Sequence, residues 1–166
     1  TVISTDSQAI FEYAMDNGVL VVKRPKSLAN DRALMLPVLQ HALSKIGGNF
    51  GCVMTLQPTS PLRTAQHIDE SIELFTQEIE ADSLVSVTKA PHNMIPESLM
   101  KLNNDGHLEP YWQEDIVLRR QEKPIYYARN GAAIYITRTE RLTEYVFGGI
   151  IIPYIMDSID SVDIDE

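Results

Sequence analysis

Four short apolar runs, TVIST, VLVVK, FGCVMTLQ and SLVSVT, recur through the first half of the chain, and the segments between them carry helical periodicity. No other feature limits the fold so far. Continuous apolar runs of this length are the pattern of strands buried on both faces, and a helix between two such strands makes them parallel neighbours. The connections are then right-handed and the sheet mainly parallel, with ligands expected outside the carboxyl ends of the strands. Residues 5–17 read as a first helix, with Asp6 or Ser7 able to cap it, Ile10, Tyr13 and Ala14 on one face and Gly18 beyond its end. Residues 19–23 then read as a strand buried on both faces. Pro37 suits the first turn of a second helix with the stripe Val38, Leu39, Ala42, Leu43 and Ile46. In a third helix, Ile68, Ile72, Phe75 and Ile79 fall at i, i+4, i+7 and i+11.

The alternation lapses over 89–128, where four prolines, a turn at Asn103-Asn104-Asp105-Gly106 and several aromatics form an insertion too long for an idle loop. His92, Tyr111, Trp112 and Tyr127 belong to this stretch, and the aromatics suit an interface or core better than stacking on a base. A strand at 132–137, a short helix at 140–147 and an extended segment at 149–156 follow. The chain then runs DSIDSVDIDE.

A chain of 166 residues has room for one core. Its net charge of −9, with no block of lysine or arginine, disfavours binding to a nucleic-acid polymer. A nucleotide triphosphate is still accessible to such a protein, through a few placed cations, backbone N–H groups or a divalent metal. Cys52 is the only cysteine, which excludes an intrachain disulfide and a thiolate zinc site and fits a reducing cytoplasm. It reads as a small hydrophobe in a buried strand. No apolar run approaches the roughly 20 residues that span a bilayer.

Three segments can carry chemistry. DSIDSVDIDE reads either as a solvated acidic tail or, in an extended segment, as Asp163 and Asp165 projecting to one face with Val162 and Ile164 on the other. Two such carboxylates can converge on a hard cation, and magnesium is commonly held by one or two carboxylates plus substrate phosphates. LQPTSPLR, at a strand end, reads either as a rigid turn into a helix or as a corner offering Gln57, Thr59, Ser60 and Arg63 to a sugar or phosphate. RRQEKPIYYARNGAAIYI offers Arg119, Arg120, Arg129 and Asn130. Gly131 there permits a conformation or an approach that a side chain would block.

Taken together, LQPTSPLRTAQHIDESIELF, ADSLVSVTKAPHN, RQEKPIYYARNGAAIYI and DSVDIDE, in this order and spacing, resemble the acylneuraminate cytidylyltransferases, the CMP-sialic acid synthetases and their relatives. The resemblance covers essentially the whole chain. It implies a three-layer α/β nucleotide-diphospho-sugar-transferase-like (Rossmann-like) fold over 1–166, with 89–128 as an inserted dimerisation arm, and hence a cytoplasmic homodimer. It implies magnesium-dependent activation of a nonulosonic 2-keto acid sugar with CTP to give the CMP-sugar and pyrophosphate. By position, Asp163 and Asp165 match the metal-binding aspartates and Gln57 a sugar-contacting glutamine. Arg24 matches an arginine near the nucleotide, Arg120 and Asn130 match polar residues on the sugar side, and Ser60 stands in the same corner as Gln57. Family members commonly begin with a strand and a loop of the type RxGSKxxxxKN that holds the CTP phosphates. This sequence opens on the following strand and stops before the helix that usually follows the aspartates. The expectation is therefore the central and C-terminal part of such an enzyme, inactive without that loop. Two other readings remain open: a cytidylyltransferase for an eight-carbon acid sugar, and a non-catalytic binding or assembly module of the same fold.

Overall fold

The computed structural model describes residues 1–112 and 124–164. Along the chain come β1 (Val2–Thr5), α1 (Gln8–Asp16), β2 (Leu20–Lys23), α2 (Met35–Ile46), β3 (Cys52–Thr55), α3 (Ala65–Gln77) and β4 (Ser83–Lys89). The short strands β5 (Met100–Leu102), β6 (Leu108–Pro110) and β7 (Tyr127–Arg129) follow, then β8 (Tyr135–Arg138) and β9 (Ile151–Ile155). The order is the expected α/β alternation with a strand-rich insertion. β1 and β2 pair in parallel, Val2 opposite Leu20 and Thr5 opposite Lys23, with α1 as the crossover. A five-stranded sheet has the order β3-β8-β4-β7, and β9 also pairs β4. β7 runs antiparallel to β4, and β5 antiparallel to β6.

The chain packs as two compact units. The first comprises Thr1–Met54, Glu80–Ser83 and Ile136–Ile151. Ser7 caps α1 by accepting the Ile10 N–H. Of the face expected to be buried, only Ala14 is; Ile10 is exposed and Tyr13 is 72% exposed. β2 departs in the same way. It buries Val22 and exposes Leu20, which share one face of the strand, so the cover over that face does not reach its first residue. Cys52 is exposed too, since β3 stands at the end of its sheet's strand order. The helix expected at 140–147 is a short 3-10 segment, Thr139–Thr143. Packing of α2 accounts for it: Gln40 donates to the Leu142 carbonyl at 2.7 Å, fixing that turn through a side chain rather than by helix continuation.

Asp82 organises this unit. Its Oδ2 accepts the Ile150 N–H at 2.8 Å and its Oδ1 accepts from Arg141 Nε at 2.8 Å. The Ile150 N–H first, and then Arg141, hold its carboxyl below the ordinary value. A carboxylate whose pKa is lower folded than unfolded stabilises the fold above about pH 4. That contribution is lost as pH falls through the folded value. Thermal unfolding followed by circular dichroism should therefore show the wild-type melting temperature falling more steeply below pH 4 than that of Asp82→Asn, which starts lower at neutral pH.

The second unit comprises Thr55–Ile79, Leu84–Tyr135 and Ile152–Glu166. Its core holds Leu84, Val85 and Val87 of β4, Ala132, Ala133 and Ile134 before β8, and Phe75 of α3. α3 buries Ser71 and Phe75 and leaves Ile72 exposed, so Phe75 of the expected stripe faces the core and Ile72 does not; Ile79, also exposed, lies beyond the helix end at Gln77. Its start is set by a capping box: Thr64 Oγ1 accepts the His67 N–H, and His67 Nδ1 accepts the Thr64 N–H at 3.2 Å. The hairpin of β5 and β6 turns at Asn103–Gly106, where Asn103 Oδ1 accepts the N–H groups of Asp105 and His107. Register puts Met100, Leu102, Leu108 and Pro110 on one face and the Lys101–Glu109 ion pair, at 3.2 Å, on the other. Met100, Leu102 and Leu108 are exposed, as are Tyr111 and Trp112 after them.

Candidate functional site

All of the candidate corner lies in the second unit. The elbow after β3 is held from three directions. The Gln57 N–H donates to the Ala132 carbonyl at 3.1 Å, and the Thr59 carbonyl accepts the Ile164 N–H at 2.8 Å. Arg63 turns inward: its Nη1 donates to the carbonyls of Gln57, at 3.0 Å, and Ala133, at 2.7 Å. Burial lowers the Arg63 pKa from its ordinary value. Arg63 thus braces the corner, in keeping with the rigid-turn reading of this segment rather than the ligand-facing one. Pro58 and Pro61 restrict the same backbone, so little ordering entropy remains to be lost when something binds there. Ser60 is 3% exposed, and among the described residues its Oγ has no hydrogen-bond partner.

A second wall is the turn before β8. Gly131 has φ +70°, and a Cβ built on it would lie 2.5 Å from the Asp163 Cγ and 2.8 Å from its Oδ1. The glycine therefore lets the carboxylate press against backbone, which is the close approach the sequence suggested. Asn130, just before it, is 4% exposed. Its Oδ1 accepts from Ser86 Oγ at 2.7 Å, and its Nδ2 donates to Ser161 Oγ at 3.0 Å and to the Met156 sulfur at 3.3 Å. Tyr135 closes the turn by donating to the Gly131 carbonyl at 2.5 Å.

The third component is the C-terminal segment. Val162 and Ile164 are exposed and Asp163 between them is half-buried, as an alternating extended stretch requires. Asp163 Oδ1 is buried and has no partner among the described residues. The turn before it is tied to α3 through His67, whose Nε2 lies 3.8 Å from Asp160 Oδ2. Because His67 Nδ1 accepts the Thr64 N–H, the proton sits on Nε2, facing Asp160. Tyr154 adds a further tie from β9, donating to Glu70 Oε2 at 2.6 Å. Burial, and then Glu70, push its phenol up, and the Tyr154 and Gln66 bonds hold the Glu70 carboxyl down.

Gln57, Ser60, Asn130, Gly131 and Asp163 are therefore brought to one corner, with the elbow and the acidic segment bonded directly. Asp165 and Arg120 lie outside the described residues. Arg24 belongs to the first unit, where its guanidinium donates to Ser4 Oγ at 3.2 Å and to the Ser4 carbonyl at 2.6 Å. Ser86, Ser161 and His67 were not singled out from the sequence. Ser86 had a legible signal, a hydroxyl in the buried stretch Ser83–Val87 of β4, which must find a partner.

No cluster of three or more His, Cys, Asp or Glu that could hold a metal occurs among the described residues. One hard oxygen does fit a divalent cation: the Oδ1 of Asp163, buried and without a donor among the described residues. Such a corner can hold a cation and position oxygens around it.

A family model described as cytidylyltransferase matches residues 1–149. An N-acylneuraminate cytidylyltransferase of Escherichia coli is 30% identical over 99% of this chain and 39% of its own length. One of Streptococcus agalactiae is 34% identical over 83% of this chain and 32% of its own. The chain thus spans less than half the length of these relatives. A CMP-N,N'-diacetyllegionaminic acid synthase of Legionella pneumophila is 30% identical over 99% of the chain and 72% of its own length. The fold is similar to that of a CMP:2-keto-3-deoxy-manno-octonic acid synthetase complexed with CTP, with TM-score 0.64, 13% identity and coverage of 95% of this chain and 72% of that one. It is also similar to a 4-diphosphocytidyl-2C-methyl-D-erythritol synthase of Anaerococcus prevotii, with TM-score 0.58, 10% identity and coverage of 98% and 70%.

Proposed function

The chain belongs to the cytidylyltransferase family, and from that premise we propose that it forms the sugar-side and metal-holding part of an enzyme that activates a nonulosonic 2-keto acid sugar with CTP. In the proposed reaction the anomeric 2-hydroxyl attacks the α-phosphorus of CTP. An oxygen–phosphorus bond forms to the sugar, the bond between the α- and β-phosphates breaks, and the CMP-sugar, pyrophosphate and a proton are released. The supporting observation is the Asp163 carboxylate, seated on Gly131 with its Oδ1 buried and, among the described residues, unpartnered beside the proline-braced Gln57 corner. Such an oxygen costs stability unless a ligand completes it.

In this reading Asp163, with Asp165, holds magnesium, which would offset the charge of the phosphates and the leaving pyrophosphate. The rest is positioning. Gln57 presents its carboxamide to the acid sugar from a backbone that Arg63 and Ala132 keep in place. Ser60 offers a buried hydroxyl without a protein partner among the described residues. Asn130 supports the corner from behind. Arg24 and Arg120 are assigned to the nucleotide and sugar sides. Segment 89–128 pairs two copies in a homodimer, a role favoured by the exposed apolar face of its β5–β6 hairpin and by Tyr111 and Trp112. No helix among the described residues is long and apolar enough to cross a membrane; the cytoplasmic location is proposed from the family resemblance.

The test is pyrophosphate release by the full-length protein with a panel of nucleotides and acid sugars. CTP with a nine-carbon acid sugar should give turnover that requires magnesium. Turnover only with the eight-carbon acid sugar would move the substrate assignment. Binding of CTP without pyrophosphate release from any sugar would favour the non-catalytic module.

A further inference from the structure

We propose that Ser161 and Asn130 are positioning residues, aiming the Asp163 carboxylate through a hydrogen-bond relay that begins at the buried Ser86 and ends in the half-exposed turn before the aspartate. The inference rests on Asp163 being a metal ligand. Every bond in the relay has a defined sense. Ser86 Oγ accepts the Ile134 N–H at 2.9 Å and gives its own proton to Asn130 Oδ1 at 2.7 Å. Asn130 Nδ2 then donates to Ser161 Oγ at 3.0 Å, and Ser161 Oγ donates to the Asp157 carbonyl at 2.8 Å. Both N–H bonds of the Asn130 amide are occupied, by Ser161 and by the Met156 sulfur, and the side chain is buried. Asn130 therefore faces the acidic segment rather than a substrate.

The relay matters because of where it ends. Ser161 is two residues before Asp163, and Ile164, one residue after, is bonded to the Thr59 carbonyl. The backbone is thus fixed on both sides of the carboxylate. Gly131, covalently next to Asn130, forms the floor beneath it. One short piece of chain sets both the floor and the upstream anchor. Cutting the Asn130–Ser161 bond frees one end of the aspartate segment and leaves the elbow untouched. Polar partners that orient a ligand in this way commonly change metal affinity by about 10–100-fold when removed.

The experiment uses Mn²⁺ alone as the probe, titrated by electron paramagnetic resonance into the full-length protein and into Asp163→Asn, Ser161→Ala and Ser161→Thr. Ser161 sits in a half-exposed turn, so these variants should fold, and melting temperatures confirm it. Asp163→Asn should lose one Mn²⁺ site. Ser161→Ala should weaken that site about tenfold, and Ser161→Thr, which keeps the hydroxyl, should restore most of the affinity. If Asp163→Asn binds Mn²⁺ like wild type, the ligand assignment fails and this proposal goes with it. If Asp163→Asn loses the site while Ser161→Ala matches wild type, or alanine and threonine weaken it equally, the relay alone is overturned.

Discussion

Under the proposed function, replacing Gly131 with alanine is expected to remove metal-dependent turnover of the full-length protein, lowering it at least about 100-fold, while Gly18→Ala leaves it intact. The two glycines have nearly the same backbone, φ +70° and +68°. An alanine at either therefore pays the same left-handed penalty, about 1–2 kcal/mol. Their surroundings differ. Nothing lies within 4 Å of a Cβ at Gly18, whereas at Gly131 the Cβ would meet the Asp163 carboxylate, 2.5 Å from Cγ. The carboxylate has to move, and the buried Oδ1 leaves its place. Melting curves and pyrophosphate release measured on both variants separate the shared strain from the specific collision. Equal losses at the two positions would contradict the account.

Asp163→Asn is expected to reduce kcat/KM by about a thousandfold, the scale of several kcal/mol of charge stabilisation, with further loss when Asp165→Asn is added. Its effect on the fold should have the opposite sign. Oδ1 makes no hydrogen bond among the described residues, so the substitution breaks no internal bond at that atom and removes a partly buried negative charge. The melting temperature in the absence of metal should stay level or rise. A fall in stability together with activity would instead mark Asp163 as a structural residue.

The strand and helix order was legible because apolar runs and helical stripes report which residues must share a face. They do not report whether that face finds a cover, and so Tyr13, Leu20 and Cys52, read as buried or facing inward, are exposed. Chemistry made the parts of the corner legible only as alternatives: prolines bracketing polar residues at a strand end, a glycine after Asn130, and alternation around Asp163 each had a plain structural reading too. The family resemblance joined them into one place. What the sequence could not convey was direction. Arg63 and Asn130 carry groups that suit a ligand equally well, yet Arg63 bonds backbone carbonyls and Asn130 bonds Ser86 and Ser161. Those partners lie 70 residues from Arg63 at Ala133 and 44 and 31 residues from Asn130. No local pattern encodes such pairings. The capping box of α3 was local, and could have been read from Thr64 and His67 three positions apart.

The central claim is that the Asp163 oxygen that lacks a partner among the described residues takes a divalent cation beside the Gln57 corner. Crystals of the full-length protein grown with CTP and Mn²⁺ test it through anomalous scattering. The account predicts a manganese peak about 2.1 Å from Asp163 Oδ1, shared with phosphate oxygens of the nucleotide. A manganese site elsewhere on the bound nucleotide, with that oxygen still bare, would contradict it.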